Sequence, residues 1–360
     1  MWSYVRNLPS KARAWITAGL GTFAALAVAV ALGVFEAQPQ AAVSQILPGQ
    51  SLDAGKWRIK PLKVWVTDQK IHGLTPKADQ KALVLEVELI NRTTRSDKSY
   101  YSTVHLPPGI GAKAEKPMIY LVRDDALMPA LQPGLPEKMA YVWLMPATAI
   151  PGSQGQSGSR RRTGLMRPLG NILVVCLAVI VLYAMQQTKP HYEDLTGPIP
   201  AYGKMHETVH TRLVDLRLDQ VDFARELAFT QYGQRKTLTT SGLWAVATTE
   251  LAATTASTTV AAATWVGPTG LHYEKTDRVG TLSSQMPPLL DPGMPRKVRF
   301  VFEILPDQVN GATFTLSNRM APRLDSEARI AIDDFRKFND GQPLIADSYD
   351  LAKPVPVSGN

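Results

Sequence analysis

The residues of this 360-residue chain that most invite a chemical reading are His206, Glu207 and His210, which spell HETVH. On a helix, H-E-x-x-H sets two imidazoles one turn apart to hold zinc, with the glutamate as general base. The flanking sequence favours a strand instead. TRLVDLRL follows directly, and Val209, Leu213, Val214 and Leu216 give it a β-like apolar pattern, while the preceding TGPIPAYG suits a loop. On a strand, residues four apart share a face but lie about 13 Å apart, too far to share a metal. No third ligand follows at the spacing of the extended zinc motif, and Glu226 is only a distant carboxylate. The expectation is a chance match at a strand start, with a membrane-anchored zinc peptidase as the enzymatic alternative.

Other reactive residue types are dispersed. Asp124 and Asp125 are adjacent, as are Asp333 and Asp334. Neighbours on a strand point to opposite faces, so neither pair suits acid–base work, and both are expected in solvated turns, with loop calcium as the alternative. His72, His105, His191 and His272 read as surface or packed residues. Cys176 is the single cysteine, so it forms no internal disulfide. There is no P-loop, dinucleotide fingerprint, G-x-S-x-G elbow or reactive cysteine. A non-enzymatic chain with no cofactor and no bound metal is expected.

The elements around these residues start with two apolar runs. Ala14 to Phe35 is 22 residues without a charge, enough to cross a bilayer as a helix. It is long for the apolar core of a signal peptide, and EAQPQAA after it is a poor cleavage site, so it reads as an uncleaved anchor. Leu169 to Met185 is 17 residues, at the short end of the spanning range. The net charge of +8 is concentrated beside these runs, at Arg6, Lys11 and Arg13 and at Arg160, Arg161, Arg162 and Arg167. That placement is a topology signal rather than a nucleic-acid footprint, and no nucleic-acid partner is expected. By the positive-inside rule both runs put their N-termini in the cytoplasm, which one chain cannot do without a further crossing. Either one helix departs from the rule, or two anchored units are fused; the fusion is the expectation, joined by the linker-like PGSQGQSGSRRRTG just before Met166.

An internal repeat supports two related units. LQPGLPEKMAYVW at 131–143 and LDPGMPRKVRFVF at 290–302 are identical at six of thirteen positions without a gap. Each joins a Pro-Gly turn to a strand. Met139, Tyr141 and Trp143 alternate on one face of the first; Val298, Phe300, Phe302 and Ile304 do so in the second. WRIKPLKVWV, ALVLEVELINRTTRS, GLWAVATTELAATTAS, GATFTLS and ARIAIDDF are further strand candidates. In ALVLEVELI, Leu83, Leu85, Val87 and Leu89 share a face and Glu86 and Glu88 point away. The Ala/Thr-rich stretch after Thr248 reads as two small-residue strands joined by a turn. The first unit lacks equivalents of the last two strands, so its sandwich is expected to be incomplete.

The apolar strand ending in an Asn-containing turn (ALVLEVELINRTTRS), with the L-x-P-G turn before an aromatic strand (LQPGLPEKMAYVWLMP; LDPGMPRKVRFVFEILP), resembles the telokin-like, immunoglobulin-type sandwiches of bacterial membrane-anchored proteins and lipoproteins. The resemblance covers about half of each unit. It implies an extracytoplasmic binding or assembly role and transfers no catalytic residue.

The resulting expectation is a mainly β chain with two immunoglobulin-like β-sandwich domains, each preceded by a single transmembrane α-helix. The divisions are a basic segment 1–13, helix 14–35, sandwich 36–150, linker 151–168, helix 169–185, sandwich 186–340 and an extended, loosely ordered tail 341–360. The expected function is an accessory or scaffold subunit of an envelope transport or export complex in the bacterial inner membrane. Its partners are the lipid bilayer and membrane or envelope proteins, a transporter among them, with packing between the two repeated units. A ligand-binding or sensor module is the alternative. Gly19, Gly21, Ala24 and Ala25 allow close helix approach, and these, with Tyr141 and Trp143, are the expected partner-binding residues.

Overall fold

The computed structural model describes residues 49–149 and 197–353, apart from 107–109, 111–113, 232, 280–288, 321–323 and 338–340. The two apolar runs and the linker between the units lie outside the described residues, and with them Gly19, Gly21, Ala24, Ala25, Cys176 and His191. Among the described residues no helix is long and apolar enough to cross a membrane. The architecture is mainly β.

In the first half, β1 (Leu52–Ala54), β2 (Trp57–Thr67), β3 (Gln80–Asn91), β4 (Met118–Leu121), β5 (Ala126–Leu127) and β6 (Pro136–Pro146) form a single sheet in the order β1-β2-β3-β6-β4-β5. The alternation read from the sequence sets its faces. Val87, Leu89, Met139, Tyr141 and Trp143 enter one core with Trp57 and Tyr100, and Leu83 and Leu85 pack against it. Glu86 and Glu88 take the opposite parity, facing Lys63 and Lys60 across the β2–β3 pair. The covering layer comes from loops rather than a second sheet: Tyr100 on a short 3-10 turn, with Val104, Leu106, Ile110 and Ala114. Here the immunoglobulin-type sandwich expectation is replaced by one sheet under a loop layer. The strand MIYL, β4, extends that sheet beyond β6.

The second half is a two-sheet sandwich. Its strands are β7 (Ile199–Lys204), β8 (Thr208–His210), β9 (Val214–Gln231), β10 (Gln234–Ala253), β11 (Ala262–Val266), β12 (His272–Glu274), β13 (Arg296–Ile304), β14 (Thr313–Ser317), β15 (Ser326–Ala331) and β16 (Ile345–Asp350). One sheet runs β13-β10-β9-β16 with β8 on β9; the other runs β12-β11-β14-β15-β7. Phe223, Phe300, Phe302 and Val214 from the first meet Trp265, Phe314 and Ile330 from the second in one buried core. The Ala/Thr-rich stretch is indeed two strands and a turn, but β10 and β11 belong to different sheets. Small side chains at that corner let the chain cross between layers.

Two expectations of loose chain are overturned. The loop read in TGPIPAYG is β7, parallel to β15 at the sheet edge, a place where Pro200 costs no ladder bond. Gly203 belongs there because a Cβ would meet Val209 Cγ2 at 2.3 Å. The tail carries β16, parallel to β9. Arg299, buried on β13, pins it by donating from Nη1 to the carbonyls of Leu351 and Lys353, at 3.1 and 2.8 Å.

The repeated turn-plus-strand segments occupy the same place in both halves. Asn91 ends β3 opposite Trp57 and bridges Pro133; Ala253 ends β10 opposite Val214 and bridges Pro292. Leu131 bridges Asp97, and Leu290 bridges Thr258. Glu137 then faces Leu89, as Arg296 faces Leu251. All described residues belong to one compact unit.

Candidate functional site

The seam between the halves begins at the Asn-containing turn. Buried Asn91 donates from Nδ2 to the carbonyls of Arg95 and Leu131, both at 2.8 Å, and its Oδ1 accepts from Thr93 N–H and Oγ1. With every polar atom satisfied, the side chain fixes loop 92–96. That loop pairs with β12: His272 N–H donates to Thr94 carbonyl at 2.7 Å, and Glu274 N–H to Ser96 Oγ at 2.9 Å. Lys98 joins Asp277 beside it, at 2.5 Å.

Deeper in the seam five charged side chains converge. Arg123 Nη2 donates to Glu137 Oε1 at 2.8 Å and to Glu303 Oε1 at 2.6 Å. Two carboxylates of different halves therefore meet at one nitrogen. Arg278 donates from Nη1 to Glu303 Oε2 at 3.0 Å, and from Nε and Nη2 to Asp124 Oδ2 at 2.9 and 2.6 Å. Its guanidinium stacks 5.0 Å over the Trp244 ring. Thr240 Oγ1 donates to Glu303 at 2.6 Å and Ser241 Oγ to Glu137 at 3.0 Å. Only 2% of the Arg278 side chain and 5% of each glutamate remain exposed.

Local structure explains how the cluster is assembled. Between Ala224 opposite Trp244 and Glu226 opposite Thr239, the β9–β10 ladder carries a bulge that sets Thr240 against Glu303 and Ser241 against Glu137. Gly242 is required there: a Cβ would lie 2.2 Å from Ile304 carbonyl oxygen and 2.9 Å from Leu135 Cδ2. The Pro-Gly turn of the first half also seats against the second, since a Cβ on Gly134 would approach Leu305 Cδ1 to 2.9 Å.

The electrostatics are unbalanced. Asp124, Glu137 and Glu303 face Arg123 and Arg278, so full ionisation leaves one surplus negative charge in a desolvated place. Burial raises the Glu137 carboxyl and the nearby Glu303 raises it further, against Arg123 and Arg278, so it is pushed up to about 7. The arrangement favours a proton on the Glu137 carboxyl.

The residues singled out from sequence are placed as follows. His206 sits in a turn at φ 67° and its Nε2 contacts Asp334 Oδ2 at 2.9 Å. His210 is on β8, and its Nδ1 contacts Asp215 Oδ1 at 2.8 Å on the neighbouring strand. Glu207 accepts from Lys204 N–H. The imidazoles of HETVH thus engage different carboxylates, and among the described residues no three His, Cys, Asp or Glu side chains gather as metal ligands. Tyr141 and Trp143 are core, not docking surface: they stack 5.8 Å apart, and Tyr141 Oη donates to Tyr100 carbonyl. Asp125 and Asp334 are exposed as expected, but Asp124 is nearly buried on Arg278, a correction to its solvated-turn reading. His72 stacks on Tyr120 and contacts Asp125, and His272 lies in the seam.

Sequence reasoning passed over Glu137 and Glu303. A signal was present. Glu137 has the same parity as Met139, Tyr141 and Trp143, and Glu303 interrupts the apolar FVFEIL; a charge in either place demands a buried partner.

A cleft lined by Thr211, Leu213, Leu316 and Ser326 has room for little more than a water molecule. No protein-family model matches the chain, and no curated protein matches it. Among solved structures it is similar to the yjhA protein from Bacillus subtilis, at 12% identity over 36% of this chain and 99% of that one, with a TM-score of 0.29. An uncharacterized β-sandwich protein from Clostridium difficile 630 is similar at 10% identity over 40% of this chain and 100% of that one, with a TM-score of 0.26.

Proposed function

We propose that this chain is a non-enzymatic, membrane-anchored accessory or scaffold protein of the bacterial inner membrane, whose β body binds partner proteins of an envelope transport or export complex. The apolar runs 14–35 and 169–185 support the anchoring, and the L-x-P-G turn before the aromatic strand at 290–302 supports an immunoglobulin-type refinement of the second-half sandwich.

The observation that carries the binding reading is the outer edge of β2. β1 pairs only with Trp57, Arg58 and Ile59, and Gly49 N–H reaches Pro61 carbonyl. From Leu62 to Thr67 no strand lies outside β2 among the described residues. An unpaired edge is a ready template for an incoming strand. Val64, 63% exposed, and Val66 give it an apolar face. Lys63 covers Trp65 on the other, with its ammonium 4.6 Å from the ring. An extended segment of a partner protein adds here as a further strand.

A photo-crosslinking residue at Val64, in membranes of the source cell, tests this. The expected result is a discrete adduct with a membrane or envelope protein, lost in the Val66→Asp background and absent when the crosslinker sits at exposed Met320. Equal labelling from both positions, or none from Val64, refutes the reading.

A further inference from the structure

We propose that Glu137, held beside Glu303 on the same Arg123 nitrogen, is a proton-operated latch between the two halves of the β body: a proton on its carboxyl holds the seam closed, and its loss loosens it. The pair belongs to the seam and not to the β2 edge, so the proposal stands apart from the binding reading.

Geometry and charge count carry the argument. Glu137 on β6 and Glu303 on β13 meet at Arg123 Nη2, so the latch spans the two halves. Every neighbouring element contributes to their field. The turn after β4 brings Arg123 and Asp124, the segment after β12 brings Arg278, and the β10 bulge brings the hydroxyls of Thr240 and Ser241. Three carboxylates against two guanidiniums leave a buried charge unpaired, which is strongly unfavourable in a water-excluded place. A proton on Glu137 removes it. Opening the seam exposes the Glu137 carboxyl to water, where it ionises freely.

The direction in pH follows. Glu137 rises from an ordinary 4.5 to about 7 in the closed body. A carboxyl raised on closing contributes its stabilisation in full below 4.5 and loses it as pH rises through 7. The seam therefore tightens in mild acid and relaxes in mild alkali. Two other seam residues titrate: burial lowers His272 and raises Glu274. The assignment to Glu137 is accordingly read as a difference between wild type and variant.

The reporters are the His272 and Glu274 amides, which donate across the seam. In the full-length chain, their hydrogen-exchange protection, corrected for the intrinsic rate at each pH, is expected to fall about tenfold between pH 6 and pH 8 in excess of the change in Glu137→Gln. Glutamine at this position keeps the shape and fixes the neutral state. An identical pH response in both proteins overturns the latch. A second measurement needs no variant: the carboxyl ¹³C shift of Glu137 in the wild type is expected to titrate with a midpoint near 7. A midpoint near 4.5 overturns the proposal.

Discussion

The turn-plus-strand segment occurs twice, and the two copies meet opposite surroundings. In the first, Leu135 is 0% exposed, Glu137 is buried in the seam, and Gly134 lies against Leu305. In the second, Met294 is 62% exposed, Arg296 faces solvent, and a Cβ on Gly293 would meet nothing within 4 Å. Register is the same in both. The shared backbone frame is thus fixed by the Pro-Gly turn and the buried leucines, Leu131 and Leu290. Everything that differs is set by what lies against the outer side of the turn. One copy has become a joint; the other has stayed a surface.

Breaking the joint at its charges should have the largest effect. Arg278→Met leaves three carboxylates on a single guanidinium and is expected to lower stability by about 3–5 kcal/mol in denaturant unfolding. The same change at Arg296, which stands in the exposed copy where Glu137 stands in the first, is expected to stay within about 0.5 kcal/mol. Gly242→Ala comes next, at about 3 kcal/mol, because its methyl would press on the fixed carbonyl of Ile304. A comparable cost at Gly293 would show that the joint is not special. Leu135→Ala should lose about 2–3 kcal/mol and Met294→Ala almost nothing, measured by the same unfolding curves. Gly293→Ala, at φ 72°, should cost only about 1–2 kcal/mol of backbone strain. The smallest effect is expected at HETVH: with both imidazoles in exposed contacts to carboxylates, His206→Ala should move the thermal midpoint by no more than about 2 °C.

Strands that bury one face were legible, because alternation alone decides which way each side chain points. Val87 and Leu89 against Glu86 and Glu88 is the clearest case, and the alignment of 131–143 with 290–302 marks equivalent strands. Local pattern does not reveal partners distant in the chain. β7 was hidden because Pro200 and Gly203 read as breakers, and only its parallel pairing with β15 makes them tolerable. β16 has mixed composition, with Asp347, Ser348 and Asp350, and is a strand because β9 offers an edge and Arg299 holds its end. For Asp124 the solvated-turn reading failed because Arg278, the residue that buries it, lies more than a hundred positions away. Glu137 and Glu303 could have been flagged by parity, but not paired with each other.

Two parallel pairings, Ile199 with Ser326 and Phe223 with Ile345, close loops that span most of the second half. Contacts so distant in sequence charge their chain entropy before they return any stabilisation, so this half should assemble slowly, on the millisecond-to-second scale of sandwich folds. Until β16 arrives, β9 presents a bare flank. During that interval the nascent sandwich is most exposed to pairing with the wrong strand, and a molecular chaperone that shields the β9 flank would be expected to raise the refolding yield more than one that shields β7.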